Sequence, residues 1–136
     1  MSKQNFIIAL VLAATLPQAA LSADPTIAFT KPANGATLKN PVEICLEVSG
    51  VELQAAKMGV HEGKGHLHIL VDTTVADPAM PLATDKPDQI VHMGDATKCR
   101  TLKLAKGAHK LEGVFTNGAH VPGAHALTTS IDVTVE

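Results

Sequence analysis

The sequence predicts an all-β protein, an immunoglobulin-like antiparallel β-sandwich of about seven strands. Beyond residue 23, short runs alternate apolar and polar residues, which is the period of a half-buried strand rather than of a helix. Turn-forming pairs such as Asn34 with Gly35 and Asn117 with Gly118 separate these runs. Residues 24–136 are long enough for one such domain and too short for two.

Seven candidate strands follow from this alternation. In each of them the apolar side chains share one parity, so one face packs in the core and the other faces outward. In chain order, the residues that mark the strands are Ile27 and Phe29; Val42, Ile44, Leu46 and Val48; Leu67, Ile69 and Val71; Ile90 to His92; Leu102 and Leu104; Leu111 and Phe115; and Leu127, Ile131, Val133 and Val135.

Residues 1–23 have the pattern of a cleavable signal peptide. A lysine precedes an apolar run at residues 6–16, which is too short for the ~20 residues of a membrane-spanning helix. Small residues near Ala23 suit cleavage there, and cleavage after Ala20 or retention as an anchor stays open. The expected mature chain, residues 24–136, is therefore periplasmic or secreted and has no transmembrane segment.

The composition excludes several kinds of partner. Without Lys3, ten basic residues stand against thirteen acidic ones, so nucleic acid is not expected as a partner. Trp and Tyr are absent and only three Phe occur, so stacking on bases or sugars is nearly excluded. The core must be built from aliphatic side chains.

The two cysteines are predicted to form a disulfide. Cys45 has the outward parity of the second candidate strand, and Cys99 has the outward parity of the fifth. These strands are neighbours in an immunoglobulin-type sheet, and an exported protein meets oxidising conditions. The alternative is a pair of free thiols, one of them a metal ligand.

Four of the seven histidines form the main candidate metal site. His66 and His68 are two apart on the third strand, so both imidazoles share one face, roughly 6.5–7 Å apart. His92 ends the fourth strand and His120 lies between the sixth and seventh, and sandwich topology brings these positions to one end. His109 has core parity and is expected to be a hydrogen-bonded structural histidine. Further candidate ligands at the same end are His61, Met93 and His125.

Convergent imidazoles suit Cu(II), Zn(II) or Ni(II), and a nearby thioether would suit Cu(I), so copper fits best and zinc is the alternative. Met58 and Met80 are expected to pack in the core or at its rim. Affinity should fall as imidazoles protonate near pH ~6.5. In the competing hypothesis the histidines only brace loops, and the chain is a structural or interaction module whose partner is an envelope protein.

An enzyme is the third hypothesis, because the sequence carries neither Gly-x-Ser-x-Gly nor His-Glu-x-x-His. Asp72 could orient one imidazole of the histidine pair, although a turn at the strand end explains it more simply.

A family resemblance rests on Gly-His-Leu-His-Ile-Leu-Val-Asp at residues 65–72, His92, Gly-Ala-His-Lys-Leu at 107–111, and His120. Over roughly residues 41–136 the chain resembles the bacterial exported family called domain of unknown function 4399. The resemblance implies the domain boundaries and the importance of these histidines, and it implies no particular reaction. His61 and His125 do not belong to the residues that carry the resemblance.

Overall fold

A computed structural model of the chain describes residues 17–19 and 22–136. Most of the predicted signal peptide, residues 1–16 and 20–21, lies outside the described residues. Within the described part, no helix is long and apolar enough to cross a membrane.

The described residues form strands connected by loops, with one short 3₁₀ turn at Ala56–Met58. All seven predicted strands are present, and two strands of two residues each, β2 and β4, are added to them. The strands are β1 Thr26–Lys31, β2 Thr37–Leu38, β3 Val42–Ser49, β4 Glu52–Leu53, β5 Lys64–Val71, β6 Ile90–Met93, β7 Cys99–Leu102, β8 Gly107–Thr116 and β9 Thr128–Val135.

Two sheets make the sandwich. The smaller has the order β1-β3-β7, and the larger has the order β2-β9-β8-β5-β4, with β6 also paired to β5. The long pairings are antiparallel, whereas the two-residue strands β2 and β4 run parallel to β9 and β5. The all-β sandwich predicted from the alternation is confirmed.

The core lies between the two sheets and is almost entirely aliphatic, as the scarcity of aromatic residues requires. Each strand contributes every second side chain, so the pleat alone places these residues in one layer. The fully buried members are Ile44, Leu46, Leu67, Ile69, Met93 and Leu111.

The predicted disulfide between Cys45 and Cys99 is present. The two residues are direct partners in the antiparallel β3–β7 ladder, and their Cα atoms are 4.1 Å apart. Cys45 has outward parity but is only 6% exposed. On the β1 side, the cross-strand partner of Cys45 is Lys31, which forms an ion pair with Glu43 at 3.0 Å. These neighbouring side chains cover Cys45.

The outer face of the larger sheet is also covered. The segment between β5 and β6 folds back over it, and Leu82 packs with Leu70 of β5 and Val114 of β8 in a second, smaller apolar cluster. The backbone N–H of Leu82 donates to the carbonyl of His120 at 2.9 Å, which joins this segment to the β8–β9 loop. Polar side chains at this end of the face are therefore sheltered from water.

Candidate metal site

The four histidines of the main prediction lie together. Every pair among His66, His68, His92 and His120 has ring centroids between 4.7 and 5.6 Å apart. They lie on the outer face of the larger sheet, near the start of β5, rather than among loops at the tip of the sandwich. The segment between β5 and β6 covers this outer face, so the histidines lie in a protected pocket on the sheet.

Strand alternation and register position three of the four rings. In β5, Leu67 points to the core, so His66 and His68 point to the opposite face. His92 of β6 is the direct cross-strand partner of His68. Directly opposed residues share a face with Cβ atoms ≈ 4.5–5.5 Å apart, so the pairing alone brings these imidazoles together.

A tight turn positions the fourth ring. The N–H of His120 donates to the carbonyl of Asn117 at 3.0 Å, and the side-chain oxygen of Asn117 accepts from Ala119 and Val121 at 2.9 and 3.1 Å. His120 itself has φ 66°, the left-handed region that few residues other than glycine adopt. The turn predicted from Asn117 and Gly118 thus fixes the direction in which His120 points.

Gly94 provides space for the ring of His92. A Cβ atom built on Gly94 would collide with Cε1 and Nε2 of that ring. The imidazole therefore folds back over a residue that has no side chain, which holds it near His66. The sequence marks this glycine only as a turn residue.

Burial decides the protonation of the pocket. His66 is 0% and His68 2% exposed, whereas His92 is exposed and His120 half-buried. Desolvation, with repulsion from His92 and His120, lowers the pKa of His66 to about 4. Desolvation, with repulsion from the other three, lowers the pKa of His68 to about 3. The pKa of His92 is also lowered, first by desolvation and then by His120 and Arg100.

Hydrogen-bond distances show how the neutral rings are arranged. Nε2 of His66 lies 3.1 Å from Nε2 of His92. The hydroxyl of Thr116 lies 3.5 Å from Nε2 of His66 and 3.4 Å from Nδ1 of His68, and it donates to the carbonyl of Asn117 at 3.2 Å. Nδ1 of His66 is the one buried side-chain polar atom without a partner among the described residues.

Thr116 is a member of the pocket that the sequence analysis missed. It is the cross-strand partner of His66 and is 0% exposed. The signal was available in the alternation of β8, because Thr116 and Val114 share the parity opposite to the core-facing Phe115.

Three of the four rings can hold one ion. One nitrogen from each of His66, His92 and His120 lies within 4.8 Å of the other two. Nitrogens that share a tetrahedral zinc-like ion at 2.0–2.1 Å lie roughly 3.3 Å apart, so side-chain rotations of modest size would complete the geometry. The donor set fits a borderline metal ion, because metal binding requires neutral imidazoles and the lowered pKa values of His66 and His92 favour their neutral forms.

The further candidate ligands are not brought to this pocket. Nδ1 of the exposed His61 lies 2.8 Å from Oε1 of Gln54. His125 lines a separate cavity, with Phe115 among its other walls. Met93 is buried in the core, because it follows His92 directly in β6 and adjacent strand residues point to opposite faces.

His109 lies at the other end of β8 and is hydrogen-bonded, as predicted. Its Nδ1 lies 2.7 Å from the carboxylate of Asp72, and its Nε2 lies 2.8 Å from the carbonyl of Ala105. Asp72 therefore orients His109 and not His66 or His68. Asp72 directly follows the last residue of β5 and has φ 54°, which agrees with the simpler interpretation as a turn residue.

A protein-family model described as "Domain of unknown function (DUF4399)" matches residues 44–136. The chain belongs to the DUF4399 family. All four pocket histidines and both cysteines of this DUF4399 domain lie within the matched residues. The resemblance inferred from the Gly-His-x-His strand is thereby confirmed.

No curated protein matches this DUF4399 chain significantly. Among solved structures, the endo-β-1,4-mannanase of Thermotoga petrophila is similar at 16% identity and TM-score 0.47, covering 84% of this chain and 20% of the mannanase. A double mutant of the Cellulomonas fimi endo-β-1,4-mannanase is similar at 20% identity and TM-score 0.46, covering 85% and 19%. The chain thus spans about a fifth of the length of these enzymes, and neither likeness bears on its activity.

Proposed function

We propose that this DUF4399 chain is an exported binding module whose histidine pocket holds a transition-metal ion, copper or zinc, as part of metal handling outside the cytoplasm. The observation that carries the proposal is the convergence of one nitrogen each from His66, His92 and His120 within 4.8 Å. Three imidazoles from two strands and one loop are a donor set that copper and zinc bind well.

Electrostatics support the same conclusion. A metal ion competes with protons for imidazole nitrogens, and desolvation has already lowered the pKa of His66 to about 4. At neutral pH the ring of His66 is therefore uncharged, and one of its nitrogens offers a lone pair to a metal ion. The unpartnered Nδ1 of His66 adds a polar atom that the protein itself leaves unsatisfied.

The exposure of the ligands favours an exchangeable ion over a structural one. Structural zinc sites are closed by four protein ligands, whereas sites that exchange a ligand or substrate keep a position open. Here one of the three ligands, His92, is exposed, and the folded domain already has a disulfide and an aliphatic core. Export is supported by the disulfide and by the predicted signal peptide.

The alternative is that the pocket is a hydrogen-bonded brace in an envelope module. Neutral His66 and His92 at 3.1 Å could share one hydrogen bond, with one ring donating and the other accepting. This arrangement needs no ion, and it predicts that added metal leaves the protein unchanged.

Metal titration of untagged, chelator-treated full chain separates the two. We expect one Zn(II) or Cu(II) per chain by calorimetry, with strong weakening in His92→Ala. The matched control is His61→Ala, since both histidines are exposed and only His92 belongs to the pocket. A His66→Ala, His68→Ala double change should abolish binding. Equal affinities for His92→Ala and His61→Ala, or no binding by the wild type, would support the brace instead.

A further inference from the structure

Two methionines are exposed on segments whose backbones contact the turns next to the histidine pocket. In the described part of the chain, the large hydrophobic side chains that are exposed are Met58 at 56%, Val60 at 60% and Met80 at 59%. Methionine is among the residues most often buried, because burial of its apolar side chain stabilises the folded state. The expectation that Met58 and Met80 pack in the core or at its rim is therefore wrong, and their exposure calls for an explanation.

Met58 is carried by a segment that contacts both the turn after β6, which follows His92, and the turn that holds His120. The N–H of Ala56 donates to the carbonyl of Gly94 at 2.9 Å, two residues beyond His92. On the other side, Gly118 packs so closely on the backbone of Gly59 that a Cβ atom on Gly118 would collide with the Gly59 carbonyl. Met58 thus lies between the loop after His92 and the turn that holds His120.

Met80 is carried by a segment that is bonded to the same loop between β8 and β9. The N–H of Leu82 donates to the carbonyl of His120 at 2.9 Å, and the N–H of Gly123 donates to the carbonyl of Pro78 at 2.8 Å. The segment that carries Met80 is therefore hydrogen-bonded at both of its ends to the loop that supplies a pocket histidine. Neither methionine is needed to fill the core.

We propose that Met58 and Met80 form a thioether entrance that captures Cu(I) and passes it to the histidine pocket, a step that rests on the metal-binding function proposed above. Thioether sulfur is a soft, neutral ligand that favours Cu(I) and binds Zn(II) poorly. The thioethers at the surface would bind Cu(I) first, and the imidazoles of the pocket would then hold it. An aliphatic rim would give no such selectivity.

The test replaces sulfur while keeping apolar volume. Loading of the full chain is followed anaerobically by stopped flow, with Cu(I) supplied as its bicinchoninate complex and Zn(II) supplied from a chromophoric indicator. The Met58→Leu, Met80→Leu double variant should load Cu(I) about tenfold more slowly, while its rate with Zn(II) stays at the wild-type value. Val60→Ala, which changes the exposed apolar surface without touching sulfur, should leave both rates unchanged.

Several results would overturn the entrance. An unchanged Cu(I) rate in the double variant would show that sulfur has no role. Equal slowing of both ions, or slowing by Val60→Ala, would assign the patch to apolar contacts or to loop shape. If the wild type loads both ions and only the methionine effect is missing, the pocket stands and the entrance fails. If the wild type loads neither ion, the metal-binding function and the entrance fail together.

Discussion

Nε2 of His66 and Nε2 of His92 lie 3.1 Å apart, although His66 is completely buried and His92 is exposed. Two protonated imidazoles cannot stay at this distance in a desolvated pocket, because their like charges repel strongly. The contact is compatible with one hydrogen bond between neutral rings or with one shared cation. Protonation of the exposed His92, or binding of a metal ion to it, therefore changes the protonation equilibrium of the buried His66.

The first prediction concerns the stability of the metal-free protein between pH 7 and pH 5. The pKa of His66 is lowered to about 4 and that of His68 to about 3, while both titrate near 6.5 in the unfolded chain. The unfolded state then binds more protons in this range, so the free energy of unfolding falls as the pH falls from 6.5. The loss should be about 2 kcal/mol for each histidine by pH 5.

Urea unfolding in the presence of chelator at pH 5, 6 and 7 measures this slope. A His68→Gln variant should lose about half of it, because glutamine does not titrate. His125→Gln, which removes an exposed histidine outside the pocket, is the control. A slope that is absent in the wild type, or unaffected by His68→Gln, would contradict the neutral buried pocket.

The second prediction uses Gly94 to move His92 without removing it. A methyl group at residue 94 would occupy the space of the His92 ring, and φ of Gly94 is outside the left-handed region, so alanine suits the backbone. Because His92 is exposed and can swing outward, Gly94→Ala should weaken metal binding about tenfold and change the unfolding free energy little.

A double-mutant cycle checks that the effect passes through the ring. Gly94→Ala should weaken binding in the wild type but have no further effect in a His92→Ala background. Additive losses of affinity in the double variant would mean that Gly94 acts on the pocket by another route.

Much of the fold could be predicted because alternation is a local signal. The parity of Leu67 and Ile69 in β5 placed His66 and His68 on the outer face, and the same argument paired Cys45 with Cys99. In such strands, the positions of a few apolar residues show which side chains face the core and which face outward.

The location of the pocket could not be predicted in the same way. The segment that covers the outer face through Leu82 has neither helical nor strand periodicity, so nothing local indicates where it packs. Met93 shows a second cause. The predicted fourth strand is too short to establish its parity. The sequence therefore places the neighbours His92 and Met93 in one site, although they point to opposite faces.

The third prediction concerns the disulfide. It closes a loop with a sequence separation of 54, which in the chain-entropy model stabilises the fold by about 4 kcal/mol. Cys99→Ser is the cleaner variant, because Cys99 is exposed whereas serine at the buried Cys45 would also bury a hydroxyl. Under oxidising conditions Cys99→Ser should lower the unfolding free energy by this amount, and in reductant it should match the wild type. If Cys99→Ser lowers the unfolding free energy equally in reductant, the loss does not come from the disulfide.

The last prediction concerns His109, whose stability contribution should depend on pH in the opposite sense to that of the pocket histidines. Its two ring nitrogens face the Asp72 carboxylate at 2.7 Å and the Ala105 carbonyl at 2.8 Å, so the protonated ring satisfies both acceptors. The carbonyl of Ala105 first and Asp72 second raise the pKa of His109, despite partial burial. Its stabilising contribution is therefore fully present below pH 6.5 and is lost as the pH rises through the raised pKa.

His109→Ala should accordingly destabilise the protein more at pH 6 than at pH 8, by about 1 kcal/mol or more at the lower pH for the lost hydrogen bonds. Proton NMR of the imidazole should place the midpoint of His109 above 6.5, and Asp72→Asn should lower it. Asparagine tolerates the left-handed backbone of residue 72, where φ is 54°, and its side-chain oxygen can still accept from the N–H of Lys110, now at 2.9 Å. A midpoint that does not move in Asp72→Asn would show that the ion pair does not hold the proton. A stability loss in His109→Ala that grows toward pH 8 would show that the neutral ring, and not the protonated ring, stabilises the fold.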